Sequence, residues 1–487
     1  MKPPAVAPSP ANQQLVHNSL LLVGIEGVSK LLGLVFFVLL ARYLGATELG
    51  IYAAALTWAN FFILLPKFGL ENLVQREVGR QPEAARDYWR RLGLLKAVLT
   101  GVALLGLGLT LRLLFQSQWL VMWFLGVFAC AYSFLEFADT FFRAWGRASN
   151  EVLVRLWFSL SNLLLGAALL LAGGRLSAVA LGQFLSVSSA LLLAGWRFYR
   201  LAPASPEARL TPGYWALLRQ AAPFAGIVAA LFCSNQVGML LLSVLQPETA
   251  VGFLAAGLRL FDNLTLLPAA VMGAFLPVAS RQYRTSLRAF VLTCRYTWKY
   301  LFLLVAPLAV GLFCLARPLT LFLYRDEFLP TAWVLQLLAP ALVCSFWNYL
   351  GDNLLIASNR EGRLLALAWL AAAIHVGANL VLVPRYAYLG AAAATLLTQA
   401  GYSLILGWQL RRYWGRRQLW TLMGRPAACA AGMGLLVWWL QDLPVLLVVA
   451  GGALSYLALL VLSRTVTATE WTYLRMLWRW SPVAVKT

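Results

Sequence analysis

Runs of about 20 apolar residues recur along this chain, from near residue 17 to residue 463. An α-helix of that length crosses the hydrocarbon core of a bilayer, which is about 30 Å thick. Of the 487 residues, 61% are hydrophobic and 12% are charged, and a soluble domain usually has about twice that charged fraction. A transmembrane β-barrel would instead show short segments of alternating polarity. The sequence therefore predicts an all-α polytopic membrane protein.

The apolar runs predict about fourteen transmembrane helices. They lie near 17–41, 47–67, 92–114, 118–141, 153–173, 176–198, 215–243, 250–279, 296–316, 331–356, 364–383, 388–410, 425–441 and 443–463. Most of the 39 lysines and arginines lie in alternate connections, on the side that holds the N-terminus. The positive-inside rule therefore predicts that both termini are cytoplasmic. The net charge of +21 is then a topology signal and a contact for anionic lipids, and it does not indicate nucleic-acid binding.

Several classes of active site have no support in the sequence. There is no Gly-Lys pair, and hence no phosphate-binding loop for ATP. The two histidines are too few for most metal sites, and the six cysteines are scattered singly without a CxxC pair. We therefore predict no catalytic residue, no metal and no cofactor.

The second predicted helix has a copy later in the chain, because residues 49–66 align without gaps on 251–268. Seven residues recur 202 positions later: Gly50, Ala53, Ala54, Leu56, Leu64, Leu65 and Pro66. Two weaker repeats follow in the same order: residues 137–147 align with 350–360, and residues 193–200 align with 405–412. Six spans thus repeat as the next six, which predicts two parallel six-helix lobes with a binding site between them.

This repeat gives the predicted organisation of the chain. It consists of a disordered cytoplasmic N-terminus (1–14), an N-lobe of spans 1–6 (15–200), a cytoplasmic linker (201–213), a C-lobe of spans 7–12 (214–413), two further spans (414–464) and a cytoplasmic amphipathic tail (465–487).

Four motifs near the N-terminus carry a family resemblance. They are S-[KR]-x-x-G at 29–33, A-R-x-L-G at 41–45, L-G-x-Y at 49–52 and G-L-x-x-x-x-x-R-E at 69–77. Together with 250–283 and 323–342, they resemble the polysaccharide flippases of the MOP superfamily (multidrug/oligosaccharidyl-lipid/polysaccharide exporters). The resemblance implies two lobes in a V around a central cavity, and alternating-access transport rather than chemistry.

The resemblance also implies a substrate and a location. Flippases of this group move a polyprenyl-pyrophosphate-linked oligosaccharide from the inner to the outer leaflet, here of the bacterial cytoplasmic membrane, for surface polysaccharide export. The implied partners are this lipid-linked glycan, membrane lipids, a polysaccharide polymerase and glycosyltransferases, and we expect a monomer. Protons, sodium ions or the membrane potential remain open as the driving force.

Two cations inside predicted spans are the main candidates for substrate binding. Lys30 matches the basic position of the first motif, and Arg259 matches that of the family's eighth span. A buried charge indicates function by default because it is costly in hydrocarbon. Arginine offers a bidentate fork for phosphate oxygens, and lysine offers a mobile point charge. Asn60 and Asp262 are equivalent polar positions in the two copies of the repeat and join the candidate site.

Local pairing is the competing interpretation of these charges. Glu26 and Lys30 are spaced i, i+4, and Arg259 and Asp262 are spaced i, i+3, so each couple could neutralise itself within one helix. In the functional interpretation, Glu26 and Asp262 hold the two cations when substrate is absent.

Four further residues are weaker candidates. Asp139 and Asp352 lie near cytoplasmic helix ends, where they could take part in ion coupling or in local ion pairs. His375 lies inside the eleventh span, where it could relay protons or only bond a neighbour. Arg42 could contact the phosphate or anchor a lipid headgroup.

Two other functions stay open at this point. A cation-coupled multidrug exporter of the same superfamily would favour an anionic, aromatic cavity. A membrane glycosyltransferase or polymerase using the same lipid carrier would need a large external loop or an external acidic cluster, and Asp326 with Glu327 is the only such cluster in the sequence.

Overall fold

The computed structural model describes residues 10–202, 213–411, 416–463 and 465, and the described residues form helices without a β-strand. The helices are α1 (Pro10–Lys67), α2 (Leu70–Arg80), α3 (Ala85–Leu114), α4 (Trp119–Ala144), α5 (Ala148–Leu171), α6 (Leu176–Leu201), α7 (Tyr214–Leu245), α8 (Glu248–Leu264), α9 (Leu266–Thr285), α10 (Leu287–Cys314), α11 (Ala316–Tyr324), α12 (Thr331–Ala357), α13 (Glu361–Leu410), α14 (Arg416–Trp439) and α15 (Val445–Leu462). The predicted all-α membrane fold is confirmed.

Within the described residues, ten helices are long and apolar enough to cross a membrane, or eleven if the bent helix within 224–245 counts as one span. Two of the ten are each broken by one residue with non-helical backbone angles. Gly45 (φ 79°, ψ 179°) breaks α1, and Ala387 (φ 48°, ψ −128°) breaks α13. Each break lies at a predicted connection between two spans. The count of fourteen stays a prediction.

Several predicted features fall at the edges of the described residues. Helix α1 begins at Pro10, within the segment 1–14. Most of the linker 201–213 and almost all of the tail 465–487 lie outside the residues that the structure describes.

By backbone contacts, the chain divides into two units. The first comprises residues 1–266, 323–330 and 365–398, and the second comprises 267–322, 331–364 and 399–487. The predicted N-lobe lies entirely in the first unit, which also contains α7 and α8. The division into two six-helix lobes stays a prediction.

Stacked aromatic rings hold together the end of the first unit that the sequence predicts to be cytoplasmic. The indole of Trp89 on α3 stacks on Phe198 of α6 with ring centroids 4.2 Å apart, and it meets Phe141 of α4 at 5.3 Å. Beside them, the apolar face of α2 is fully buried through Leu70, Leu73, Val74 and Val78. Burial of this face explains why α2 lies against the bundle.

The two copies of the sequence repeat pack against each other within the first unit. A methyl group added to Gly50 would collide with the backbone carbonyl of Glu248, and one added to Gly252 would collide with the carbonyl of Ala46. Gly252 is the repeat equivalent of Gly50, and Glu248 is the equivalent of Ala46. The contact is therefore reciprocal, as across a local two-fold axis. The glycines recur because the second half of α1 and the start of α8 touch backbone to backbone.

Glu327 stabilises the break in α1. Its Oε1 accepts a hydrogen bond from the backbone N–H of Ala46 at 3.0 Å, which is the first residue after Gly45. A carboxylate at a helix N-terminus satisfies an otherwise unpaired N–H and complements the helix dipole. One of the two acidic residues that were predicted to be external thus has a structural partner.

In the second unit, α10 packs against α12, α14 and α15. Trp298 meets Trp347 edge to face with ring centroids 4.8 Å apart, and the Tyr456 hydroxyl donates to the Leu303 carbonyl at 3.0 Å. Helices α14 and α15, which follow the repeat in the sequence, are thereby joined to the helices of this unit.

Candidate functional site

A cavity of about 470 Å³ lies within the first unit. Helix α1 supplies one wall, and α4, α5, α6 and α8 supply the others. The polar and charged side chains that line it are Glu26, Ser29, Lys30, Tyr52, Asn60, Lys67, Tyr132, Ser133, Glu136, Asp139, Arg155, Ser159, Asn162, Gln183 and Arg259. Both main candidates from the sequence, Lys30 and Arg259, are among them.

Arg259 reaches from α8 to the surface of α1. Its Nη2 lies so close to Gly33 that a methyl group added there would be 2.6 Å from it. The guanidinium carbon lies 5.5 Å from the centre of the Phe37 ring, within the range of a cation–π contact. Its buried Nε has no hydrogen-bond partner among the described residues. The guanidinium thus packs against Gly33 and the Phe37 ring, and Arg259 is one of the residues that line the cavity.

Neither predicted couple forms an ion pair in the structure. Among the described residues, no carboxylate lies within 4.0 Å of a charged nitrogen of Lys30 or Arg259. Asp262 is not among the residues that line the cavity, and its carboxylate interacts electrostatically with Arg259 and Lys30 without a contact of 4.0 Å or less. Close ion pairing within one helix is therefore absent for these two cations among the described residues, and longer-range neutralisation of Arg259 by Asp262 stays open.

Glu26 is paired with a residue that the sequence analysis did not single out. Arg155 on α5 donates from Nη1 to Glu26 Oε2 at 2.9 Å and from Nε to Asp139 Oδ2 at 2.8 Å. Its Nε also lies 3.3 Å from Glu151 Oε1, and Glu151 in turn accepts from Arg143 at 2.6 Å. This cluster, which we call the Arg155 cluster, joins α1, α4 and α5 at one end of the cavity.

A second ion pair lies on the cavity wall. The Lys67 Nζ is 2.8 Å from Glu136 Oε2. Each carboxylate of the lining, Glu26, Glu136 and Asp139, therefore has a cationic partner. Lys30 and Arg259 have no carboxylate within 4.0 Å among the described residues, and Asp262 acts on both of them from a longer distance.

One face of α5 carries polar groups along the cavity at the spacing i, i+4, i+7. Arg155 bonds Glu26, and one turn later Ser159 Oγ bonds Ser29 Oγ at 3.1 Å. Asn162 comes next, and its buried Oδ1 has no hydrogen-bond partner among the described residues. This face of α5 therefore follows α1 past the first motif.

The structure places the other predicted residues as follows. Asn60 lines the cavity and is exposed. Arg42 lies outside the lining, and its Nε donates to the Leu323 carbonyl at 2.7 Å.

Asp352, in the second unit, accepts a hydrogen bond from the Tyr402 hydroxyl at 2.6 Å. His375 is 3% exposed and its Nδ1 shares a 3.1 Å hydrogen bond with Thr398 Oγ1. The proposed ion-coupling and substrate roles of these residues stay predictions.

Sequence reasoning missed Arg155, which is the centre of the largest ion-pair cluster of the site. Arg155 lies at the start of the predicted span 153–173, where a charge is usually read as part of the adjoining polar connection. A signal was present, since Glu136, Asp139 and Glu151 flank the same connection and need a cation.

A sequence-family comparison decides the family. The family profile described as "Polysaccharide biosynthesis protein" matches residues 15–282, which is more than half of the chain. This chain belongs to the polysaccharide biosynthesis protein family. The resemblance inferred from the motifs is thereby confirmed. No curated protein sequence matches the chain.

Solved structures show the fold of this polysaccharide biosynthesis protein. It is similar to a lipid II flippase MurJ in an inward closed conformation, with a TM-score of 0.72 and 14% sequence identity over 90% of this chain and 98% of that one. A multidrug resistance MATE transporter of the MOP superfamily, in an inward-facing conformation, matches with a TM-score of 0.59 and 15% identity, covering 79% of this chain and 95% of that one. A MOP superfamily transporter from Pyrococcus furiosus matches with a TM-score of 0.56 and 14% identity, covering 82% and 95% of the two chains. The fold of this multi-pass membrane protein is that of MOP transporters.

Proposed function

We propose that this protein is an alternating-access flippase that moves a polyprenyl-pyrophosphate-linked oligosaccharide from the inner to the outer leaflet. The observation that carries the proposal is the pair Lys30 and Arg259. Both line one cavity within the first unit, and no carboxylate lies within ion-pair distance of either among the described residues.

The chemistry of a pyrophosphate matches this pair. The negative charge of the pyrophosphate must enter the membrane together with the glycan, and a cation without a close carboxylate in the cavity wall can offset that cost. The Arg259 guanidinium can donate hydrogen bonds to two phosphate oxygens at once. The Lys30 ammonium can contact the second phosphate. The carboxylates that line the cavity form ion pairs with Arg155 and Lys67, which offset their repulsion of a bound pyrophosphate.

The proposed substrate also implies the membrane location and the partner enzymes of this protein. We place the protein in the bacterial cytoplasmic membrane as a monomer, with both termini cytoplasmic, between glycosyltransferases that build the lipid-linked glycan and a polymerase that consumes it. Protons, sodium ions or the membrane potential would drive the cycle.

The test is a flipping assay in proteoliposomes, with a fluorescent polyprenyl-pyrophosphate-linked oligosaccharide as substrate. We expect Arg259→Ala to abolish flipping and Arg259→Lys to retain part of it, because lysine keeps the charge but loses the fork. The control is Arg112→Ala, since Arg112 is an exposed arginine that contacts Trp119 outside the cavity. Normal flipping by correctly folded Arg259→Ala protein would refute the proposal.

One observation favours a second candidate, a cation-coupled multidrug exporter. The cavity contains three carboxylates, Glu26, Glu136 and Asp139, and carboxylates could bind cationic drugs. The same proteoliposomes separate the two functions, because an exporter would accumulate a cationic dye and would not move the lipid-linked glycan.

A further inference from the structure

Four residues that line the cavity each carry a buried side-chain oxygen that has no hydrogen-bond partner among the described residues. These oxygens are Ser133 Oγ, Asp139 Oδ1, Asn162 Oδ1 and Gln183 Oε1. Ser133, Asp139 and Gln183 are each 2% exposed. Buried polar atoms are nearly always paired, because an unpaired one costs the full desolvation of the group. Four such atoms around one cavity indicate a ligand that brings several hydrogen-bond donors.

Ser133 shows that these oxygens are not satisfied by their own helices. Other buried hydroxyls in the first unit donate to the carbonyl one turn earlier, as Thr140 does to Glu136 and Ser186 does to Gly182. Ser133 on α4 makes no such bond. Its hydroxyl is therefore available as both donor and acceptor.

Asn162 can be placed relative to the two cations. Its helix follows α1 in register, since Ser159 bonds Ser29 and a methyl group added to Gly166 would collide with the Phe36 ring. Asn162 lies between these two contacts, and therefore near the level of Gly33, where the Arg259 guanidinium lies. A ligand whose phosphate binds Arg259 would then have Asn162 at a similar level of the cavity wall.

An aromatic surface accompanies the oxygens. Phe128, Tyr132 and Phe158 all line the cavity, and the rings of Tyr132 and Phe158 have centroids 5.1 Å apart. Aromatic faces offer large apolar area with a negative π surface, on which the C–H face of a sugar ring can lie. Amide, hydroxyl and carboxylate oxygens beside aromatic rings fit a polyol better than they fit a hydrocarbon chain.

We propose that this wall of the cavity is a subsite for the sugar next to the pyrophosphate, with Asn162, Ser133, Gln183 and Asp139 accepting hydrogen bonds from its hydroxyl groups. This inference rests on the proposed function and adds to it a preference for the glycosylated lipid over the bare one. The phosphate would supply affinity through Lys30 and Arg259, and the sugar subsite would supply selectivity.

The test compares two probes by isothermal titration calorimetry on the full-length protein in detergent. One probe is farnesyl pyrophosphate, and the other is farnesyl pyrophosphate linked to a single glucose. We expect the wild-type protein to bind the glycosylated probe more tightly. Asn162→Leu and Ser133→Ala should each weaken binding of that probe by about fivefold, the effect of one lost hydrogen bond, and leave the affinity for the bare probe unchanged.

The control is Ser186→Ala on α6, because its hydroxyl is bonded to Gly182 and does not line the cavity. An unchanged ratio of the two affinities in both cavity variants would overturn the sugar subsite and leave the proposed function intact. If the wild-type protein bound neither probe, both proposals would fail. Two results together would support both proposals. Arg259→Ala should lose binding of farnesyl pyrophosphate, and only Ser133→Ala and Asn162→Leu should lose the preference for the glycosylated probe.

Discussion

The guanidinium of Arg259 lies against the backbone of Gly33. A methyl group at Gly33 would be 2.6 Å from Nη2 of the arginine, closer than non-bonded atoms approach. Gly33 is the glycine of the S-[KR]-x-x-G motif, whose basic residue is Lys30. The motif thus supplies one cation itself and, through its glycine, the space for the other. Gly33 is a positioning residue for Arg259.

We therefore predict that Gly33→Ala displaces Arg259 without removing a charge. The clashing atom is the end of a flexible side chain, which can move aside, so stability should change little. The affinity for a polyprenyl pyrophosphate should fall by about tenfold, equivalent to roughly 1.4 kcal/mol, because the guanidinium is displaced. Calorimetric titration with farnesyl pyrophosphate measures this. Gly24→Ala on the same helix is the control, because nothing lies within 4 Å of the added methyl group. Equal affinity in the two variants would contradict the positioning role.

The Arg155 cluster should contribute strongly to stability. Removing Arg155 leaves Glu26, Asp139 and Glu151 without this partner, and Asp139 and Glu151 are almost fully buried. Breaking a buried ion pair from one side costs about 3–5 kcal/mol. We expect Arg155→Met to lower the apparent Tm in detergent clearly, and the added change Asp139→Asn to restore part of the loss. An exposed arginine, Arg112, replaced by methionine should leave Tm nearly unchanged; a similar drop there would argue against the cluster.

Replacing buried Lys96 alone should cost more stability than replacing Lys96 together with its partner Glu71. It is fully buried on α3, with its Nζ 2.6 Å from Glu71 Oε1 on α2 and within 6 Å of the Phe134 and Phe137 ring centres. We predict that Lys96→Met alone destabilises by about 3 kcal/mol, because the carboxylate of Glu71 loses its partner.

The double variant Lys96→Met/Glu71→Leu should recover most of that stability, because a buried pair can often be replaced by apolar groups at little cost. Thermal unfolding of the single and double variants forms a double-mutant cycle. Additive effects of the two changes would show that the pair does not act as a unit.

The reciprocal glycine contact between α1 and α8 predicts a change in dynamics. Gly50→Ala introduces a methyl group that collides with the Glu248 carbonyl, and backbone cannot move aside as a side chain can. The two helices must separate locally, so we expect faster amide hydrogen exchange in 46–60 and in 248–260. Mass spectrometry of the exchanged protein measures this. The control is Gly101→Ala, where the added methyl group meets no atom within 4 Å, and it should leave the exchange rates unchanged. Unchanged exchange rates in Gly50→Ala would contradict the prediction.

Sequence patterns predicted the fold class, the approximate position of most helices and the family. They also predicted that residue 45 lies at a connection, because the apolar run is interrupted there. The repeat predicted that Gly50 and Gly252 are equivalent. It did not predict that the two glycines lie in one reciprocal contact, since equivalence in sequence does not state which helices touch.

The site was predicted only in part. Lys30 and Arg259 were found because a charge inside an apolar run is visible without a structure. Glu26 was expected to serve Lys30, its neighbour on the same helix, but it is bonded to Arg155, 129 residues away. The unpaired oxygens of Ser133 and Asn162 gave no sequence signal, because serine and asparagine in a membrane helix usually bond their own backbone.

The sequence by itself determined that this protein is a helical membrane protein of its family, with two cations at positions where charge is costly. Hydropathy and motifs suffice for this because they depend on residues that are close in the chain. Only the tertiary structure decided which charges are neutralised and which remain available to a ligand. Burying a charge is costly without a partner, and which helix faces meet decides that partner. Here α5 brings Arg155 to the carboxylates, while Lys30 and Arg259 line the cavity without a carboxylate within 4.0 Å among the described residues.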